Sequence, residues 1–184
     1  MKHSFLAAPA GTSSAPTISS STSSDACRGR AISRTTPGTW QTSVSEVIVD
    51  TGPLVALLVR TDDHHRWAVD RLRELEPPFL TCEPVLAEVA HLVRHMRQGI
   101  DRFVDLLLSN LLQVDFDVMV ERAAVGRLLR KYADRPMSLA DACLVRLAEL
   151  HDRASVLTID GDFSVYRKHG RRAIPLIAPM APGG

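Results

Sequence analysis

Five acidic residues stand where the chain could use them for chemistry. Asp50 ends a short β-branched run, Val47-Ile48-Val49, and Glu88 lies inside an otherwise apolar helix start. Asp141 falls in the first turn of a helix that Ser138 caps, and Asp160 and Asp162 follow a second β-branched segment, Ser155-Val156-Leu157-Thr158-Ile159. Carboxylates gathered in one crevice repel one another and either protonate or bind hard divalent cations; Mg²⁺ or Mn²⁺ takes oxygen ligands and retains water. Metal-assisted phosphodiester hydrolysis is the reaction class that such a centre suits. Each acid also has a plainer reading. Asp50 before Thr-Gly-Pro and the Asp160-Gly161-Asp162 segment are good turn formers, Glu88 fits a solvated helix face, and Ser138-x-x-Asp141 approximates a capping box. Their joint placement at strand ends and helix starts is what favours chemistry.

The histidines offer a rival. His91 and His95 are four apart on the Glu88 helix, a spacing that can grip zinc, but the third ligand would have to be His64 or His65 from across a loop. No H-E-x-x-H motif is present, and a polar helix flank is the ordinary role of such a pair.

The elements that must position these acids alternate along the chain from Glu46. Val47–Val49 predicts a buried strand, ended by a turn over Asp50-Thr51-Gly52-Pro53. A helix follows over His65–Leu75, stopped by Pro77-Pro78. Phe79–Cys82 is the next strand, and a helix carrying Pro84 in its first turn continues through Val85, Val89 and Met96 to Gly99. Two further helices are expected, about Phe103–Leu112 and Val118–Tyr132, separated by a short Gln113–Phe116 connection. The Ser138 helix runs to about His151. Ser155–Ile159 is a strand, Phe163–Lys168 a helical turn, and Ile174–Ile177 an edge strand that accepts Pro175. Strands separated by helices predict an α/β fold with a mainly parallel sheet, whose ligand crevice lies beyond the carboxyl ends of the strands.

With the elements in place, four segments resemble the acidic motifs of the PIN-domain ribonucleases: Val47-Ile48-Val49-Asp50-Thr51, Leu86-Ala87-Glu88-Val89, Ser138-Leu139-Ala140-Asp141-Ala142, and Leu157-Thr158-Ile159-Asp160-Gly161-Asp162-Phe163. Their order is most similar to that of the VapC toxins of bacterial toxin–antitoxin pairs, over about Glu46 to Ile177. The resemblance implies a three-layer α/β/α fold and a Mg²⁺- or Mn²⁺-dependent endoribonuclease. It assigns metal binding to Asp50 and Asp141, with Glu88 and Asp160 completing the catalytic acidic centre and Asp162 assisting through water. Thr51 and Thr158 match small hydroxyl positions beside the first and last acids, where an oxygen can hold a carboxylate or a water. RNA as substrate and a cognate antitoxin as partner follow from the same resemblance, whereas a cytoplasmic location rests on the scattered cysteines, which fit a reducing compartment, and a homodimer on the leucine-rich stretch over 106–112. A catalytically silent PIN-like binding module and a general RNA-processing nuclease are the alternatives. Gly52-Pro53 after the first acid departs from the family pattern by stiffening the turn, without removing an acid.

Composition bounds the rest. The 184 residues are 45% hydrophobic and 23% charged, which suits one domain. The formal charge of +1 argues against a generally basic nucleic-acid coat, so phosphate contacts must be local. Two basic clusters are available, Arg127, Arg130, Lys131 and Arg135, and then Arg167, Lys168, Arg171 and Arg172, the second being the better phosphate candidate because it follows Asp162 closely. Trp67, Tyr132, Phe163 and Tyr166 are the candidate stacking groups. Leu106-Leu107-Leu108 with Leu111-Leu112 reads as deep core, or as a surface for a partner or second copy. Cys27, Cys82 and Cys143 form no C-x-x-C pair, which argues against a disulfide framework or a zinc ribbon. No stretch approaches the roughly 20 apolar residues of a membrane span.

Residues 1–45 differ in kind. Between Thr12 and Ser24 all but Ala15, Pro16 and Ile18 are Ser or Thr, and the stretch predicts a disordered tail before a nuclease domain over 46–178, with 179–184 a flexible end. An organelle transit peptide and a start codon assigned too early are the other readings of that tail. A secretory signal is disfavoured by Pro9 and by the short Phe5–Ala10 apolar run.

Overall fold

The computed structural model describes residues 46–179. The expected disordered tail over 1–45 and almost all of the flexible end at 179–184 lie outside the described residues, as does Cys27. Three short strands begin the fold's logic: β1 (Val47–Val49), β2 (Phe79–Thr81) and β3 (Leu112–Val114), joined in parallel in the order β3-β2-β1. Between β1 and β2 lie α1 (Thr51–Leu58) and α2 (His65–Glu74); between β2 and β3 lie α3 (Glu83–Val93) and α4 (Gly99–Leu108). The chain then forms α5 (Arg122–Lys131) and α6 (Leu139–Leu150) and returns to the far side of β1 as β4 (Ser155–Leu157), with a last parallel strand at the edge, Leu176–Ile177.

The layers follow from handedness. Crossovers between parallel strands are right-handed, so connections that step from β1 to β2 and on to β3 place α1 to α4 on one face. The return from β3 to β4 runs the opposite way and places α5 and α6 on the other. The sheet, in the order β3-β2-β1-β4 and then the edge strand, is therefore the middle of the α/β/α sandwich that the family resemblance implies. Val47, Ile48 and Val49 are all buried, as a strand covered on both faces requires.

Four local expectations are corrected. The Asp50–Pro53 turn is instead the start of α1, because Pro53 sits in the first turn, where its missing N–H costs nothing. The Gln113–Phe116 connection gives way to β3, and Leu112 belongs to that strand rather than to a helix. The helix expected over Phe103–Leu112 begins at Gly99 and ends at Leu108. The helical turn expected over Phe163–Lys168 is a 3-10 turn (Gly161–Ser164) followed by an antiparallel hairpin, β5 (Arg167–Lys168) with β6 (Arg172–Ala173); His169 and Gly170 at its tip both have positive φ, 49° and 80°. The edge strand, β7 (Leu176–Ile177), begins just after Pro175, whose carbonyl accepts from Val156 N.

The leucine cluster divides. Leu106 is buried, Leu111 and Leu112 pack against the core, and Leu107 and Leu108 face solvent, Leu108 at 81% exposure. Among the described residues no helix is long and apolar enough to cross a membrane.

Candidate active site

The strand order reverses between β1 and β4, and in open α/β sheets the crevice beyond such a reversal is where ligands bind. Asp50 leaves β1 into this crevice and Asp160 follows β4 into it.

Asp50 is almost wholly buried and N-caps α1. One carboxylate oxygen, Oδ1, accepts from Thr51 N at 2.6 Å; the other, Oδ2, accepts from the Thr158 hydroxyl at 2.7 Å. Burial is the main cause that lifts its pKa from 3.8 to about 6, with the charges of Asp141 and Asp160 adding to it against the two hydrogen bonds. Thr158 Oγ1 also accepts from Asp160 N at 2.9 Å, so one hydroxyl ties the first acid to the strand end that carries the last. Asp160 in turn caps the 3-10 turn through Asp162 N at 2.8 Å.

Glu88, one turn into α3, accepts from the Thr51 hydroxyl at 2.8 Å. Thr51 therefore holds the helix acid as Thr158 holds the strand acid. Asp141 completes a capping box at the start of α6: Ser138 N donates to its Oδ2 at 2.8 Å, and Asp141 N donates to Ser138 Oγ at 3.1 Å. Capping and chemistry are compatible, because the cap uses one oxygen and leaves Oδ1. Burial, followed by the charges of Asp160 and Glu88, raises the Asp141 pKa against the bonds from Ser138.

Asp50, Asp141, Asp160 and Glu88 thus stand close enough to act on one another's charge. Among the described residues, no three His, Cys, Asp or Glu side chains form a ready cage for a metal ion as they stand. The donor set nonetheless fits a hard divalent cation. It consists of carboxylate oxygens, and two of the groups, Asp50 buried and Asp141 half-buried, are raised by desolvation first and by neighbouring acids second, which is a condition that a bound cation relieves.

Other sequence candidates fall elsewhere. Helix α3 ends at Val93, so His95 lies beyond it and the zinc spacing is lost. His65 Nδ1 is instead engaged with Ala56 O at 2.7 Å. The basic cluster after Asp162 is largely structural: Lys168 is buried against the Asp152 carboxylate at 3.3 Å, and Arg172 reaches the same carboxylate at 3.0 Å. Together they hold Asp152 below the usual carboxylate range. Tyr132, Phe163 and Tyr166 are buried, which removes them as stacking groups for a nucleobase. Arg127, Arg130, Lys131, Arg135 and Arg171 remain exposed.

One feature of the crevice escaped sequence reasoning. The Tyr166 hydroxyl is buried with no hydrogen-bond partner and faces Asp141, Asp162 and Asp160, whose charges, after burial, push the phenol pKa up. A tyrosine three residues beyond Phe163 carries no motif, so only packing reveals it.

A family model for the PIN domain matches residues 47–169, the span from β1 through the β5–β6 hairpin tip. The chain belongs to the PIN domain family. Its fold is similar to the crystal structure of VapC20 of Mycobacterium tuberculosis, a sarcin-ricin loop cleaving toxin, with 25% sequence identity and a TM-score of 0.58. The match covers 69% of this chain and 99% of VapC20. Among curated proteins no sequence relative matches.

Proposed function

We propose that this PIN-domain protein is a Mg²⁺- or Mn²⁺-dependent endoribonuclease and the toxin half of a toxin–antitoxin pair, with residues 46–178 as the nuclease unit. The observation that carries the reading is the convergence of Asp50, Asp141, Asp160 and Glu88 at the reversal of strand order, with Asp50 raised to about 6. Membership of the PIN domain family and similarity to VapC20 support the choice of RNA and of a toxin role.

In this reading Asp50 and Asp141 are the principal cation ligands, and Glu88 and Asp160 complete the set, with Asp162 acting through water. A divalent cation bound there would supply charge neutralisation at the phosphate and a more acidic water. The protein's part is positional. Thr51 and Thr158 fix Glu88 and Asp50 through their hydroxyls, and the Ser138 cap fixes Asp141. Exposed arginines, Arg127, Arg130, Arg135 and Arg171, are available to the phosphate backbone. The partner surface we assign to the antitoxin is the outer face of α4, where Ile100, Val104, Leu107 and Leu108 form an exposed stripe at helical spacing.

The test is cleavage of a mixed-sequence RNA by the purified full chain with Mn²⁺, against Asp50→Asn. The parent should cleave only with the cation and the variant should be nearly inactive. Equal cleavage by both would attribute the activity to a contaminant and overturn the proposal.

A further inference from the structure

Tyr166 is 1% exposed and its hydroxyl has no partner, an unfavourable state for a buried polar atom that a phenylalanine of the same shape would avoid. Its ring is held edge-on by two neighbours, Tyr132 with centroids 5.1 Å apart and Phe163 at 5.4 Å. Tyr132 is anchored in turn, its hydroxyl accepting from Arg167 N at 3.0 Å. The clamp holds the Tyr166 ring in place beside the acidic centre. Three carboxylates act on it there, Asp141 foremost, then Asp162 and Asp160. Asp141 spends Oδ2 on Ser138 N.

We propose that Tyr166 is a positioning residue for Asp141: unpartnered as it stands, its hydroxyl is the donor that the carboxylate meets when it turns to a cation, fixing how Asp141 presents its oxygen. The inference rests on the nuclease reading above. Ser138 alone leaves the carboxyl group free to pivot about one hydrogen bond. A second donor, on a ring that cannot swing away, removes the pivot. A phenol suits the task because it stays protonated at neutral pH and donates without adding charge.

The experiment compares the full-length parent with Tyr166→Phe. Mn²⁺ is titrated while the melting temperature is followed, and kcat and KM are measured separately on a fluorogenic mixed-sequence RNA. The variant should melt no lower than the parent without metal, because the lost hydroxyl had no partner. Its half-saturating Mn²⁺ concentration should rise about tenfold, the equivalent of about 1.4 kcal/mol, and kcat should fall while KM for RNA stays the same. A variant with the parent's Mn²⁺ midpoint and kcat overturns the positioning role, whatever its metal-free melting temperature. A parent with neither a Mn²⁺-induced shift nor cleavage overturns the nuclease reading, and this inference with it.

Discussion

The Thr158 hydroxyl donates to Asp50 Oδ2 at 2.7 Å across 108 residues of chain, and Thr158 Oγ1 itself accepts from Asp160 N at 2.9 Å. A single side chain on β4 therefore sets both the buried acid after β1 and the backbone that carries the last acid. Thr158→Val keeps the volume but leaves a buried carboxylate oxygen and an amide N–H without their partner. We expect a stability loss of about 1–3 kcal/mol, measured by urea unfolding, and a clear fall in metal-dependent cleavage. Wild-type cleavage in a variant destabilised to that extent would reduce the hydroxyl to a packing role.

Asp50 also makes stability depend on pH. Its folded-state pKa, about 6, lies above the ordinary 3.8. The contribution of such a raised carboxyl is fully present below its unfolded value and is lost as pH rises through the folded value. The metal-free parent should thus gain on Asp50→Asn, by up to about 3 kcal/mol, as pH falls from about 7.5 to about 4. Unfolding both proteins in the presence of a chelator at the two pH values measures this. A difference between them that does not vary with pH would mean Asp50 is ionised as easily as a surface carboxyl.

Gly52 is the one α1 residue with no room for a side chain. A Cβ there would stand 2.5 Å from Ile159 Cγ1. Gly52→Ala gains up to about 1 kcal/mol in helix propensity, but overpacking costs about 1–3 kcal/mol, and the displaced Ile159 immediately precedes Asp160. The expected result is a modestly lower melting temperature together with reduced cleavage. An alanine variant more stable than the parent and fully active would show that Ile159 yields freely.

How much of this was legible in the sequence depended on whether the signal was local. Val47–Val49, Phe79–Thr81 and Ser155–Leu157 are apolar runs bounded by turn or cap residues, so the strands and the acids at their ends could be read directly. Helix α1 was hidden because Gly52-Pro53 is also turn chemistry, and only burial of Leu54, Ala56 and Leu58 decides for a helix. β3 was hidden because an edge strand of half-exposed and exposed residues, Leu112-Gln113-Val114, has neither alternation nor a buried run. In the candidate site, Asp50, Asp141 and Asp160 stand at element ends and Glu88 inside an apolar helical run, signals that are local in the sequence. The Lys168–Asp152 pair and the Tyr166 hydroxyl depend on long-range packing, which moved the first from a phosphate contact to the core and the second from a stacking group to the acidic crevice.

The outer face of α4 yields a prediction independent of the acids. Val104 and Leu108 are exposed while Phe103 and Leu106 on the inner face are buried, so a charge on the outer face should leave the core undisturbed. Val104→Glu with Leu108→Glu should alter stability by no more than about 0.5 kcal/mol per site, as surface substitutions do. RNA cleavage by the purified protein should be unchanged. If the stripe is where an antitoxin docks, the double variant should no longer be neutralised when coexpressed with the product of an adjacent antitoxin-like gene, since carboxylates buried in an apolar interface without partners oppose association. Size-exclusion chromatography separates the other occupant: a parent that runs as a dimer, with a variant that runs as a monomer, assigns the stripe to a second copy of this chain. A variant that is still neutralised and keeps the parent's oligomeric state would remove the α4 face from the interaction altogether.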